Sequence, residues 1–186
     1  MDDPGDSTPS AFSAEPPAEA EPPERLRIAI VADSGDWSGF PNIESEIEAT
    51  AAALSCHASS RRARGAEASV VLASDEMVRG LNRSYRGKDT ATNVLSFPFQ
   101  LPPGITGEDE PYLGDVVLAA KTIAAEAAAR GIAPIRHVQH LVVHGLLHLL
   151  GFEHESDAQA EVMERLEVEI LSRLGIADPY ALAVVD

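Results

Sequence analysis

Cysteine is nearly absent from this 186-residue sequence, which contains only Cys56. A single thiol excludes an internal disulfide framework and a cysteine-based metal site. Apolar runs are also short, and none approaches the roughly 20 residues that a membrane-spanning helix needs. The first residues are acidic, whereas a secretory signal begins with positive charge and continues into an apolar run. These absences predict a cytoplasmic protein with no membrane partner.

Basic residues are scarce as well, because 14 Lys and Arg stand against 30 Asp and Glu, for a net charge of -16. Phosphate contacts dominate nucleic-acid affinity, so this balance argues against a strong, non-specific RNA binder. Residues 1–25 contribute -6 and residues 152–186 contribute -7, which leaves the middle of the chain at only -3. The middle also has a local concentration of basic side chains, namely Arg61, Arg62, Arg64, Arg79, Arg83, Arg86 and Lys88. The composition therefore still allows a selective RNA site with a few arginine contacts.

The chain divides into two parts by composition. Residues 1–24 are rich in Pro, Ala, Glu and Ser and are predicted to form a disordered acidic tail. Residues 25–186 are predicted to form one α+β domain, in which about five helices pack on a small four-stranded sheet. Pro134 and Gly151 delimit a central helix, and Ser156 begins a capping box that predicts the last helix.

Three of the six histidines have the spacing of a metal site. His144 and His148 are four residues apart, so they lie on one helix face, one turn from each other. Gly151 tolerates positive φ and permits a sharp turn that can return His154 to the other two. Three neutral imidazoles leave the fourth tetrahedral position open, as in catalytic zinc sites. The spacing predicts one Zn²⁺ per chain on His144, His148 and His154, although Ni²⁺ also suits this ligand set.

Two further histidines extend this pattern upstream. His137 and His140 fall with His144 and His148 within an arc of about 80° on the predicted helix. They are consistent with substrate contact, with support of the metal ligands, or with a purely structural role. Neither is assigned as a ligand.

A metalloprotease is disfavoured by one residue. The histidine spacing matches the metzincin pattern H-E-x-x-H-x-x-G-x-x-H, but the general-base glutamate is replaced by Gly145. Peptide hydrolysis needs a group that takes a proton from the water on the metal. Glu153 is adjacent to the third histidine, but nothing in the sequence supports it as a substitute.

Arg86 lies in a polar turn over 85–89, which precedes a predicted strand near 93–97. Its guanidinium presents a planar fork of donors that suits phosphate. Such a turn in isolation is usually solvated. Next to a metal that activates water, however, an arginine that binds phosphate would complete a phosphodiesterase.

Several segments together resemble the YbeY family of bacterial zinc-dependent endoribonucleases, which act as rRNA maturation factors. These segments are Arg86–Asp89 with Thr92–Phe97, Leu113–Asp115, His144–His154 and Asp178–Tyr180. The resemblance runs from about residue 26 to residue 180 and leaves out the acidic tail. The sequence departs from the family pattern at Ala91, where proline is common, and at Phe152-Glu153, where Tyr-Asp is common.

The resemblance implies a single-strand-directed, zinc-dependent endoribonuclease that acts in 16S rRNA 3′-end maturation and ribosome quality control. It implies a small mixed sheet, zinc ligands at His144, His148 and His154, a functional Arg86, and the small ribosomal subunit as partner. No DNA partner is expected, and the nucleophile, water or a 2′-hydroxyl, stays open. The alternatives are a non-catalytic zinc-binding ribosome assembly factor and a small-molecule metallohydrolase.

Overall fold

The computed structural model describes residues 25–100 and 112–181. The predicted acidic tail, residues 1–24, lies outside the described residues. The strands are β1 (Arg27–Ala32), β2 (Glu67–Ala73), β3 (Val94–Pro98) and β4 (Tyr112–Ala119). The α-helices are α1 (Ile43–Ser55), α2 (Asp75–Arg86), α3 (Ala120–Arg130), α4 (Pro134–Leu149) and α5 (Asp157–Ser172). A short 3₁₀ helix, Ala58–Ala63, follows α1.

The four strands form one mixed sheet in the order β1-β2-β4-β3. β1 pairs with β2, and β2 with β4, in parallel, whereas β3 pairs with β4 in the antiparallel direction. The predicted α+β domain with a small four-stranded sheet is therefore confirmed, as is the mixed strand direction that the resemblance implied. Within the described residues, none of the helices has both the length and the apolar character of a membrane span.

The central strand β4 is buried on both faces over Val116–Ala119, because helices pack on both sides of the sheet there. Val116 and Leu118 of β4 belong to the main core, which α1, α4 and α5 share. Val117 of β4 points to the opposite face and packs with Leu95 of β3 and Val78 of α2 in a smaller cluster. β4 therefore has apolar residues in succession, as strands between two helical layers do.

Helix α4 is the central element of the larger core. One face of it is apolar and buried, as the sequence predicted for Val138, Val142, Leu146 and Leu149. The capping box at Ser156 is also confirmed: its hydroxyl accepts from the Gln159 amide, and the Gln159 side chain accepts from the Ser156 amide. Three histidines of α4 contact neighbouring helices, since His137 binds Glu126 of α3, and His140 and His144 bind Glu167 of α5.

Candidate metal centre and cleft

The three predicted metal ligands lie together in the structure. α4 places His144 and His148 one turn apart, and Gly151 adopts a φ of 92° directly after the helix. The loop that follows returns His154 toward the helix, so that one nitrogen from each ring lies within 4.8 Å of the others. The three side chains therefore form a possible metal site, in the geometry that the spacing predicted.

The ring positions fit a single tetrahedral ion. The Nε2 atoms of His144 and His148 are 3.2 Å apart. Two imidazole nitrogens on one tetrahedral zinc lie about 3.3 Å apart, because each zinc–nitrogen bond is about 2.0–2.1 Å long. Burial lowers the pKa of His148, and the neighbouring rings of His144 and His154 lower it further. These effects favour the neutral imidazole, which is the form that binds a metal.

Glu167 of α5 orients the ring of the first ligand, His144. Its Oε1 accepts a hydrogen bond from Nδ1 of His144 at 2.8 Å. This bond leaves Nε2 of His144 directed at His148 and available to a metal. A carboxylate on the outer nitrogen of a ligand histidine fixes both the tautomer and the ring orientation.

The Glu167 carboxylate is fully buried and has two further donors. His140 donates through Nε2 to Oε2 at 2.9 Å, and the Tyr180 hydroxyl donates to the same oxygen. Burial alone would raise the pKa of Glu167, but the hydrogen bonds from His140, His144 and Tyr180 lower it to about 2. Burial and the nearby Glu167 charge raise the pKa of Tyr180, so its hydroxyl keeps the proton that it donates.

Glu153 lies next to the second ligand and is exposed on the open side of the site. Its Oε2 is 3.6 Å from Nδ1 of His148, and about half of the Glu153 side chain is exposed. Glu153 therefore lies near the outer nitrogen of a ligand, but the distance is longer than a hydrogen bond.

Gly145 faces the sheet, where a side chain has no room. A Cβ atom at this position would lie 2.6 Å from Val116 Cγ1 and 3.1 Å from Ser96 Oγ. Glycine is required here because α4 packs directly against β3 and β4. Position 145 therefore cannot hold the glutamate of a metzincin, and it points toward the core instead of the metal.

Arg86 reaches the same cleft as the three histidines. This cleft has a volume of about 320 Å³ and is called the catalytic cleft after the role that we propose for it below. Most of its lining comes from two groups of segments that carried the family resemblance, 86–97 and 144–154. The lining residues are Arg86, Thr92, Asn93, Val94, Ser96, His144, His148, Glu153, His154 and Glu155. The fold therefore brings the arginine and the histidines, which are far apart in sequence, to one site.

The predicted polar turn over 85–89 begins later than expected, because Arg86 is the last residue of α2 and Gly87 ends the helix. Hydrogen bonds from α2 brace the turn that follows. Asn82 donates from Nδ2 to the Thr90 carbonyl at 2.8 Å, and Asn82 is buried. Arg79 binds both carboxylate oxygens of Asp89, at 2.9 and 2.8 Å. Arg86 is exposed at the end of the helix. Part of the basic concentration in this region is therefore structural, whereas Arg86 lines the cleft.

The two upstream histidines bind carboxylates instead of the candidate metal site. His137 is buried and donates from Nε2 to Glu126 Oε2 at 2.7 Å. Burial lowers the pKa of His137, which favours the neutral ring. His140 binds Glu167, as described above, and neither ring belongs to the three-histidine group. Their role within the described residues is to hold the carboxylates of α3 and α5 next to α4.

Sequence reasoning did not identify Glu167, although a signal was present. α5 places Met163, Leu166 and Ile170 at helical spacing on its buried face. Glu167 lies within that apolar stripe and is 0% exposed. An acid on the buried face of an amphipathic helix needs a partner, which indicates a polar contact with another element.

Comparison with known proteins confirms the resemblance to the YbeY family. A family model described as Endoribonuclease YbeY matches residues 40–175. A relative from Azorhizobium caulinodans, named endoribonuclease YbeY, is 44% identical over 158 residues, which are 84% of this chain and 98% of the relative. One of the same name from Stenotrophomonas maltophilia (strain R551-3) is 48% identical over 160 residues, 86% of this chain and 96% of the relative.

A solution structure of a Thermotoga maritima protein aligns with 84% of this chain and 99% of its own, at 20% identity and a TM-score of 0.44. The sequence relationships are much closer, since the family model covers most of the chain and the relatives align over nearly their whole length. The chain belongs to the YbeY family.

Proposed function

We propose that this protein is a zinc-dependent endoribonuclease that cuts single-stranded RNA. We further propose that it acts in the cytoplasm, on the small ribosomal subunit, in 16S rRNA 3′-end maturation and ribosome quality control. The observation that carries the proposal is the catalytic cleft, where Arg86 and three convergent imidazoles line one cavity. The name shared by the relatives supports RNA as the substrate.

In this proposal His144, His148 and His154 hold the ion, and Glu167 keeps the His144 ring in the ligand tautomer. Zinc in such a site supplies a Lewis acid for a phosphoryl oxygen or for an attacking water. The depressed pKa of His148 keeps its lone pair available for binding.

Arg86 supplies the charge that the substrate requires. Its guanidinium pairs with the oxygens of the scissile phosphate and offsets the charge that develops on them during cleavage. The brace formed by Asn82, Arg79 and Asp89 fixes the end of α2, so the Arg86 backbone is positioned before RNA binds. Arg86 thus serves as an electrostatic group and leaves proton transfer to other groups.

The test is cleavage of a 16S rRNA 3′ precursor by zinc-loaded protein, compared with Arg86→Ala. Loss of one preorganised donor to the reacting phosphate is expected to lower cleavage about 10²–10³-fold. Zinc content should stay at the wild-type level. Arg61→Ala is the matched control, since it removes an exposed positive charge outside the cleft. Full activity of Arg86→Ala would exclude the proposed role.

The ends of the products identify the nucleophile. A cyclic phosphate indicates attack by the neighbouring 2′-hydroxyl, whereas a 5′-phosphate indicates attack by water. His148→Ala, prepared identically, controls for contaminating nucleases. Cleavage that is equal in wild type and His148→Ala would exclude metal-dependent catalysis at this site.

A second candidate is a non-catalytic, zinc-binding ribosome assembly factor. The net charge of -16 favours it, because an acidic protein suits a protein surface on the ribosome better than extended phosphate contacts. This alternative predicts stoichiometric zinc and binding to small subunits, with no cleavage of the precursor even when subunits are added.

A further inference from the structure

A second cleft adjoins the metal centre. This cleft, here the α3–α4 cleft, has a volume of about 470 Å³ and is bordered by β3, the end of α3 and the first half of α4. It shares Asn93, Val94 and His144 with the catalytic cleft, whereas Arg86 lines only the latter. The two clefts therefore form one trough, with the candidate ligand His144 between them.

The walls of the α3–α4 cleft suit the flat face of a nucleoside. Val94, Ala129 and Leu141 provide an apolar surface, and charged groups lie around it. The volume is within the range of small-molecule sites, about 300–1,000 Å³, which combine apolar walls with a few placed polar groups. Ala129 is exposed in the last turn of α3, so the cleft is accessible to solvent.

Glu126 presents a fixed acceptor to this cleft. Its Oε2 accepts two hydrogen bonds, from His137 Nε2 at 2.7 Å and from Asn93 Nδ2 at 2.9 Å. Its Oε1 has no hydrogen-bond partner within residues 25–100 and 112–181. A carboxylate oxygen accepts hydrogen bonds and repels phosphate, so it suits a hydroxyl of ribose.

Arg130 lies at the rim of the same cleft. Its Nη2 donates to the Pro179 carbonyl at 2.7 Å, which holds the guanidinium against the C-terminal segment. Guanidinium groups have five donors, so others remain to bind a phosphate oxygen. Arg86 and Arg130 therefore mark two parts of the trough, and the histidine site lies between the clefts they line.

We propose that the α3–α4 cleft is a ribonucleoside subsite, which holds the nucleoside next to the phosphate bound at the metal centre. Glu126 accepts a hydrogen bond from the ribose 2′-hydroxyl of this nucleoside, and Arg130 binds the phosphate that follows it in the RNA. The 2′-hydroxyl distinguishes RNA from DNA, so this contact selects the sugar of the substrate. This inference rests on the proposed endoribonuclease function.

The test uses zinc-loaded protein, a single-stranded oligoribonucleotide, and DNA of the same sequence. The dependence of single-turnover cleavage on protein concentration measures the apparent affinity for RNA, and fluorescence anisotropy measures the affinity for DNA. Ala129→Trp fills the cleft, and Ala128→Trp puts the same side chain at the adjacent exposed position, outside the lining of either cleft. Glu126→Gln keeps an oxygen for His137 and Asn93 and replaces the other acceptor by a donor.

Ala129→Trp is expected to weaken the apparent RNA affinity about tenfold, and Ala128→Trp is expected to match wild type. Glu126→Gln should lower the preference for RNA over DNA about fivefold, because a charge-assisted hydrogen bond is lost. Equal RNA affinities for the two tryptophan variants, with wild-type cleavage intact, would overturn the subsite alone. An unchanged RNA preference in Glu126→Gln would overturn the sugar contact. A wild type that does not cleave RNA would instead overturn the proposed function.

Discussion

Helix α4 carries two pairs of histidines on one face, and the pairs have opposite surroundings. In the upstream pair, His137 and His140, the Nε2 atoms donate to the carboxylates of Glu126 and Glu167. In the downstream pair, His144 and His148, the carboxylates lie beside Nδ1 and the Nε2 atoms face each other at 3.2 Å. The same side chain on the same helix is therefore a carboxylate partner in one half and a candidate ligand in the other.

The carboxylate of Glu167 contacts one histidine of each pair, through different ring nitrogens. Its Oε2 accepts from Nε2 of His140, and its Oε1 accepts from Nδ1 of His144. An ionised carboxylate only accepts, so each bonded nitrogen must carry the proton of a neutral ring. The other nitrogen then keeps the lone pair, which in His144 faces the cleft. The comparison teaches that the position of the acid, more than the histidine spacing, determines which ring can bind a metal.

The largest expected effect is a difference in zinc content between variants of the two histidine pairs. His148→Ala is expected to abolish stoichiometric zinc, because two imidazoles do not complete the site. His140→Ala, which removes a ring of the upstream pair, should retain about one zinc per chain. Metal content of the purified variants by atomic emission measures both. A His148→Ala protein with wild-type zinc would contradict the ligand assignment.

Glu167→Gln should weaken zinc binding about 10–100-fold, as loss of an orienting carboxylate does in other zinc sites. The amide cannot accept from both rings through two oxygens, so the His144 tautomer is no longer fixed. Competition with a chromogenic chelator measures the zinc affinity. Glu161→Gln, which removes an exposed acid from the same helix, is the control. Equal affinities for the two variants would mean that Glu167 has no part in the metal site.

His137→Ala tests whether the upstream pair is structural. The ring is 3% exposed and makes a 2.7 Å bond to Glu126, so its loss should lower the free energy of unfolding by about 2–3 kcal/mol. Zinc stoichiometry should stay the same. Urea denaturation of the variant and wild type measures the difference. A loss of zinc without loss of stability would reverse the proposed division between the pairs.

The smallest effect is expected for Tyr180→Phe. The change removes one of three donors to Glu167 and leaves the bonds from His140 and His144. Stability should fall by about 1 kcal/mol, and zinc affinity by about threefold. The same denaturation and chelator measurements apply. A loss of zinc as large as that of Glu167→Gln would show that the Tyr180 hydroxyl, rather than the carboxylate alone, orients His144.

The sequence predicted the local features of this site better than its tertiary ones. The spacing of His144 and His148 and the turn at Gly151 follow from helix geometry and the freedom of glycine, so both could be predicted. The meeting of Arg86 with the histidines rested on the family resemblance, since no local pattern relates residues on α2 and α4. The carboxylate of Glu167 was missed because its partners lie on another helix and on the C-terminal segment.

The roles of His137 and His140 could not be assigned from their spacing. Both rings satisfy the same helical pattern as the ligands, and only the positions of Glu126 and Glu167 distinguish them. Those positions depend on how α3 and α5 pack beside α4, which is a property of the whole core. The predicted strand near 93–97 and the central helix between Pro134 and Gly151, by contrast, agree with β3 and α4 to within about two residues, because caps and apolar patterns are local.

The close packing at Gly145 also bears on how this fold can change during evolution. A glutamate beside the first histidine would place its Cβ atom 2.6 Å from Val116 Cγ1, so that the surrounding core would have to shift. Either the Val116 side chain would change position or α4 would move away from β3 and β4. A single glycine therefore separates this scaffold from peptide hydrolysis by an evolutionary barrier, even though the three histidines of the two site types have the same spacing.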